Sequence, residues 1–217
     1  MILRVAYLAN GIMPQPSIQA LVFDYGGVFS VDRVSQAILA CYDRLLGWPS
    51  GTLMQRLLAG PAWEAASRGE ISLAVYWERV GAELESRLPP GFARFREGPF
   101  AVEPLNPKMV DLARQLKRRY RLALCSNALI TLRAELEVEP ALLGLFDVIV
   151  ISAEVGLRKP DPRVFELTAE LLHLPLAACL LIDDKPRNTL AAQAIGMPAI
   201  TFTSPQQLLQ ELSQRGL

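Results

Sequence analysis

Four short stretches carry the side chains equipped for chemistry. They are "FDYGGV" with Asp24, "LCSNA" with Ser126 and Asn127, "LRKPDP" with Lys159, and "LIDDKP" with Asp183 and Asp184. Together they hold three carboxylates, an ammonium, a hydroxyl and an amide. Carboxylates at this density repel unless a cation neutralises them, and an all-oxygen ligand set suits Mg²⁺. A carboxylate beside a divalent cation, a lysine and a hydroxyl can handle a phosphoryl group. The cation and the ammonium offset its oxygens while the carboxylate attacks phosphorus. Each stretch alone has a plainer explanation: Asp and Gly make turns, Ser-Asn ends strands, and an acidic pair caps helices. The chemical reading rests on their joint occurrence, each cluster at the same end of an apolar run.

Those runs are "ALVFD" (20–24), "LALCS" (122–126), "DVIVIS" (147–152), "CLLID" (179–183) and "PAITF" (198–202). They lack the alternation of half-exposed strands and read as buried parallel ones. Helical patterns near 107–119, 129–137, 161–173, 187–196 and 204–214 alternate with them, and Pro162 suits the first turn of its helix. The alternation predicts an α/β fold with a doubly wound, Rossmann-like parallel sheet of about five strands. Parallel neighbours bring all four polar clusters to the carboxyl edge of the sheet, where such folds bind ligands.

Nearly a hundred residues separate the first strand from the second, and they are helix-rich. Val34, Ile38, Cys41 and Leu45 stand at helical spacing. Ser72 is placed to cap a helix with Leu73, Trp77, Val80, Leu84 and Leu88 along one face, stopped by "LPP". The predicted organisation is a discontinuous core, residues 1–30 and 101–217, with a helical insertion, residues 31–100, over the strand ends. Trp48, Trp63 and Trp77 are expected in the insertion's own core. Which of Arg56, Arg68 and Arg79 faces the site is open.

Composition excludes several classes. The 217 residues are 51% hydrophobic, with 22 basic and 22 acidic side chains. That supports a sizeable core and offers no electrostatic case for nucleic acid or an anionic membrane. Cys41, Cys125 and Cys179 are widely spaced, each in an apolar run, and are expected to be buried free thiols of a cytoplasmic protein. The single histidine, His173, excludes His-rich zinc sites and a Ser-His-Asp triad, and is expected at a helix end. No apolar run approaches the ~20 residues of a membrane span. The N-terminal apolar patch is shorter than a signal peptide's core of at least ~7 residues. It reads as an extension ahead of the first strand, leaving monomer and homodimer both open.

The four clusters, in this order, resemble the haloacid dehalogenase-like (HAD) hydrolase superfamily over essentially the whole chain after residue 18. "DYGGV" matches its Asp-x-Asp-x-[Thr/Val] motif except at the third position. Ser126 matches the Ser/Thr that ends the second strand, and Lys159 in "GLRKPDPRVF" the lysine that precedes a helix. "DDKPRNTLAAQAIGM" matches the acidic fourth motif, and the insertion resembles the family's first-type cap. The resemblance implies a Mg²⁺-dependent hydrolase acting on a small phosphorylated metabolite through an aspartyl-phosphate. Asp24 is then the nucleophile, while Lys159, Ser126 and Asn127 hold the phosphoryl oxygens. Mg²⁺ is held by Asp24, the backbone carbonyl of Gly26, Asp184 and Asp183. Asn188 is expected to orient Lys159 or a water at the metal.

Gly26 is the departure. The family carries there the Asp that protonates the leaving group and activates water, and losing such help typically costs ~10²–10⁴-fold. Asp32 is the nearest acidic replacement, although capping the next helix is its favoured role. Three other readings stay open: a 2-haloacid dehalogenase, a catalytically weak or inactive relative that binds a phosphorylated ligand, and phosphoryl transfer to a hydroxyl compound. A dehalogenase also lacks the second Asp and needs an early arginine, for which Arg33 and Arg44 are available. It uses no metal, however, so the acidic pair favours the phosphatase. A closing cap favours small substrates over phosphoproteins.

Overall fold

The computed structural model describes residues 17–30, 33–84 and 104–217. Four helices follow the first strand: α1 (Arg33–Leu45), α2 (Thr52–Leu58), α3 (Pro61–Ala66) and α4 (Leu73–Leu84). The remainder alternates helix and strand. Helices α5 (Pro107–Leu116), α6 (Leu132–Val138), α7 (Ser152–Val155), α8 (Pro162–Leu171), α9 (Pro186–Ala194) and α10 (Pro205–Gln214) lie among the later strands. The strands are β1 (Ala20–Phe23), β2 (Arg121–Ser126), β3 (Val148–Ile151), β4 (Cys179–Asp183) and β5 (Ala199–Thr201). They form one parallel sheet in the order β3-β2-β1-β4-β5.

Four strands fall within a predicted run and β2 begins one residue before its run, at exposed Arg121, for a physical reason. Central β1 sets Phe23 beside Leu124 of β2 and Ile182 of β4. Successive side chains alternate between two faces, and helices cover both. Leu21, Phe23, Leu122, Leu124, Leu180 and Ile182 share one apolar cluster with residues of α5, α6 and α10. Ala20, Val22, Ala123, Cys125 and Leu181 share the other with residues of α8 and α9. The central strands β1 and β4 are buried throughout, so they need no polar alternation.

Helices α5, α8, α9 and α10 each begin with proline, where the missing N–H costs nothing. Asn106, Asp161 and Ser204 cap three of them, accepting from the backbone N–H of Met109, Arg163 and Gln207 at 3.3, 3.0 and 3.1 Å. The fourth, α9, has Lys185 at its N-cap position and no side-chain cap. The plain explanation of the acidic pair as a helix cap therefore fails.

The helical segment after β1 has its own core of Leu39, Leu53, Leu57, Ala66, Tyr76 and Val80. Trp48, Trp63 and Trp77 pack against it, as expected. Ser72 Oγ accepts from Val75 N–H at 3.3 Å and so caps α4. The expected stripe on α1 is corrected. Cys41 is exposed, unlike buried Cys125 and Cys179, and Leu45 is 68% exposed. Among the described side chains of α1, Leu39 and Asp43 are the buried ones. Asp43 turns inward because its carboxylate accepts from Gly51 N–H at 2.6 Å and Leu53 N–H at 2.8 Å, capping the neighbouring α2. His173 stands just past α8 in the left-handed region, φ 53, at the helix end where it was expected. Asp32, Leu88, the "LPP" stop, the N-terminal extension through residue 16 and the side chains of Arg33, Val34, Ile38 and Leu84 lie outside the described residues. Among those described, no helix is long and apolar enough to cross a membrane.

Candidate active site

The strand order reverses between β1 and β4, so the crevice of this fold opens beyond their carboxyl ends. Asp24 directly follows β1 and Asp183 ends β4. A hydrogen bond from Asp24 N–H to the Ile182 carbonyl, 2.9 Å, holds the two ends together. Asp184 completes an acidic trio: one carboxylate oxygen from each residue lies within 4.8 Å of the others.

Lys159 enters the trio from the loop before α8. Its side chain is buried, with Nζ 2.9 Å from Asp24 Oδ1 and 2.6 Å from Asp183 Oδ2. Burial alone pulls a lysine's pKa down, but Asp24 and Asp183 outweigh it and hold the pKa above its ordinary value. The ammonium is therefore permanently charged. Asp24 shows the opposite balance. Burial pushes its pKa up, Lys159 pulls it back, Asp183 and Asp184 push it up again, and it settles at about 7. A carboxylate so perturbed in a cleft marks a functional site.

The loop of Lys159 is held by β2. Asn127 Nδ2 donates to the Lys159 carbonyl, and the Lys159 N–H donates to Asn127 Oδ1, both at 2.8 Å. Asn127 thus grips the backbone of the lysine, a contact that its position beside Ser126 did not reveal. Ser126, 5% exposed, ends β2, and among the described residues its hydroxyl has no hydrogen-bond partner.

Asp183 and Asp184 are unlike in their surroundings. Asp183 is fully buried. Its Oδ1 accepts from Lys185 N–H and Asn188 Nδ2, both at 2.9 Å, and its Oδ2 accepts from Lys159 Nζ at 2.6 Å and Asn188 Nδ2 at 3.0 Å. Asn188 therefore orients Asp183, and among the described residues it makes no hydrogen bond of its own to Lys159. Asp184 Oδ2 pairs with Lys185 Nζ at 2.7 Å, whereas its Oδ1 is buried and has no hydrogen-bond partner among the described residues. An orphaned buried carboxylate oxygen is costly unless something binds it. The all-oxygen trio around it fits Mg²⁺.

The paired glycines separate into two cases. Gly27 has φ +76, and a Cβ there would stand 2.6 Å from Asp184 Oδ2 and 2.9 Å from its Cγ. Backbone conformation and proximity to Asp184 both demand glycine. We expect Gly27→Ala to displace the Asp184 carboxylate and weaken Mg²⁺ binding at least about 10-fold, the size of other losses around metal ligands. Calorimetric titration checks this; unchanged affinity in a folded variant contradicts it. Gly26 has no positive φ, and a Cβ there would meet nothing within 4 Å.

Comparison with known proteins gives a consistent result. A family described as haloacid dehalogenase-like hydrolase matches residues 18–196. The sesquiterpene phosphatase astK of Aspergillus oryzae is 27% identical over 200 residues, covering 91% of this chain and 96% of that protein. A HAD family enzyme of Bacteroides thetaiotaomicron, solved with magnesium and inorganic phosphate, superposes with a TM-score of 0.66 at 19% identity, over 86% of this chain and 95% of that one. The L-2-haloacid dehalogenase of Xanthobacter autotrophicus, with chloropropionic acid covalently bound, superposes at 0.62 and 19% identity, over 91% and 83%. At such identities both superpositions speak for the fold alone.

Proposed function

The chain belongs to the haloacid dehalogenase-like hydrolase family, and from that premise we propose a Mg²⁺-dependent phosphatase that acts on a small phosphorylated metabolite through a phosphoryl group on Asp24. The observation that carries this reading is the buried trio of Asp24, Asp183 and Asp184 around Lys159, with one oxygen of Asp184 left unpartnered. The same trio weighs against a haloacid. A haloacid dehalogenase uses no metal and would leave the buried Asp184 oxygen without a partner among the described residues.

In this reading Asp24, Asp184 and the Gly26 carbonyl hold Mg²⁺, with Asp183 behind them holding Lys159. When bound, Mg²⁺ supplies positive charge that offsets the phosphoryl oxygens and the carboxylates. Lys159 and the unpartnered Ser126 hydroxyl bind the phosphoryl oxygens. Asn127 positions Lys159 through its backbone and is not itself a phosphate ligand. A carboxylate oxygen of Asp24 attacks phosphorus, and the ester P–O bond breaks with its electrons on the leaving oxygen. That oxygen takes its proton from water, because Gly26 has no group to supply one. Water then attacks the phosphorus of the aspartyl-phosphate, releasing inorganic phosphate and a proton and restoring Asp24. The insertion acts as a cap that excludes bulk water from these steps.

Phosphate release from a panel of small phosphomonoesters, with Mg²⁺ and with EDTA, tests the proposal. Metal-dependent release supports it, and equal release in both conditions overturns it. The open space at Gly26 allows a further test. Gly26→Asp should fold normally and raise turnover by about 10²–10⁴-fold, the usual worth of general acid–base help. A folded, Mg²⁺-binding variant with unchanged turnover would mean that another group already does this work.

A further inference from the structure

Arg158, next to the catalytic lysine, is an unusual arginine. Its side chain is only 12% exposed, and its Nε is buried with no partner. Among the described residues its one ion pair, with Glu64 in α3, spans 4.0 Å, and Glu64 is itself 51% exposed. Two more guanidinium groups bear on it electrostatically, Arg68 from the insertion and Arg187 from the first turn of α9. Arg68 forms an ion pair with Glu70 at 3.9 Å, its sole ion pair among the described residues. Asp161, also within reach of Arg68, is already paired with Arg163. Among the described residues, none of the three guanidinium groups donates a hydrogen bond to a protein acceptor. A guanidinium carries five N–H donors, and burying one without acceptors is unfavourable.

The location gives this surplus a meaning. Arg158 directly precedes Lys159 in the chain, and Arg187 follows Asp184 by three residues at the start of α9. Arg68 stands where the insertion meets the core. A Cβ on neighbouring Gly69 would lie 2.3 Å from the Ala153 carbonyl, and one on Gly156, just before the Arg158 loop, 3.9 Å from the Arg68 carbonyl. Guanidinium groups gathered from both sides of that seam match the paired oxygens of a carboxylate or a phosphate.

We propose that Arg158, Arg68 and Arg187 form a subsite for a second anionic group of the substrate, a carboxylate or a second phosphate carried on the phosphate ester. The substrate class is then phosphate esters with two anionic ends, and the inference rests on the phosphatase reading for the first of them.

The probes are matched pairs differing by one carboxylate: 2-phosphoglycolate against ethyl phosphate for turnover, and phosphonoacetate against ethylphosphonate for binding, both with Mg²⁺. The wild-type protein should prefer the carboxylated member at least about 10-fold in affinity and in kcat/KM, as charge-assisted hydrogen bonds of this kind imply. The preference should fall to near unity in Arg158→Gln and decline in Arg68→Gln, the difference residing in KM. Thermal melting checks that Arg158→Gln folds, and the exposed Arg68 provides a second variant if it does not. Equal binding of both phosphonates, or a preference unchanged in the folded variants, overturns the subsite. The two readings fail separately. Phosphate release without preference removes the subsite and spares the phosphatase. A binding preference that the arginine variants abolish, without any phosphate release, removes the phosphatase and spares the subsite.

Discussion

If Asp24 is the nucleophile, as proposed, Asp24→Asn should abolish phosphate release, lowering turnover by at least about 10⁴-fold, as loss of a nucleophile does in enzymes with covalent intermediates. The amide is nearly the same size and cannot attack phosphorus. A merely damaged fold would give the same loss, and stability separates the two explanations. Burial pushes the Asp24 carboxyl up to about 7, against an ordinary value of roughly 3.9. Between these values the folded chain holds a proton that the unfolded chain has released. Stability is therefore greatest below the lower value, falls as pH rises through the window, and is lowest above 7. Asn carries no such charge. In EDTA at pH 8 the variant should melt higher than the wild type, by on the order of 1–4 kcal/mol, and the difference should vanish near pH 4. Melting curves at the two pH values check this. A variant less stable than the wild type at pH 8 would contradict the electrostatic account of the site.

Lys159→Met gives the second large effect, and here both activity and stability fall. The lysine side chain is buried between Asp24 and Asp183. Methionine approximates its volume without its charge and leaves two buried carboxylates facing each other. Removing one partner of a buried pair costs about 3–5 kcal/mol, a fall in Tm of roughly 6–20 °C for a chain of this size. Acid should restore part of the loss by protonating the carboxylates. Adding Asp24→Asn should restore part of it at neutral pH, and that coupling is measurable as a double-mutant cycle. An unchanged melting temperature in Lys159→Met would mean that the acidic trio is not held by this ammonium.

Much of this was legible before the fold was known, because the relevant signals are local. Strands buried on both faces read as unbroken apolar runs, and "ALVFD" and "CLLID" are buried throughout. Parallel pairing then carried Asp24 and Asp183 to one edge. What stayed hidden depends on contacts between distant segments. The grip of Asn127 on Lys159 spans 32 residues. The orphaned oxygen of Asp184 emerges only once Asp183 has taken the donors of Lys159, Lys185 and Asn188. Asp43 misled the reading of α1, since a carboxylate capping another helix looks like a surface residue in any hydrophobic pattern. The three arginines come from separate segments, two loops and a helix, and share no spacing.

The most direct test of the central claim is to look for the phosphoryl group itself. The protein is mixed with its best panel substrate and Mg²⁺, quenched in acid within a turnover, and its peptides are weighed. With Gly26 offering no acid–base help to the second step, the aspartyl-phosphate should accumulate. The expected result is one added phosphoryl group on the peptide carrying Asp24, absent with EDTA and absent in Asp24→Asn. Phosphate released while the Asp24 peptide stays unmodified, or a phosphoryl group on another residue, would contradict the account.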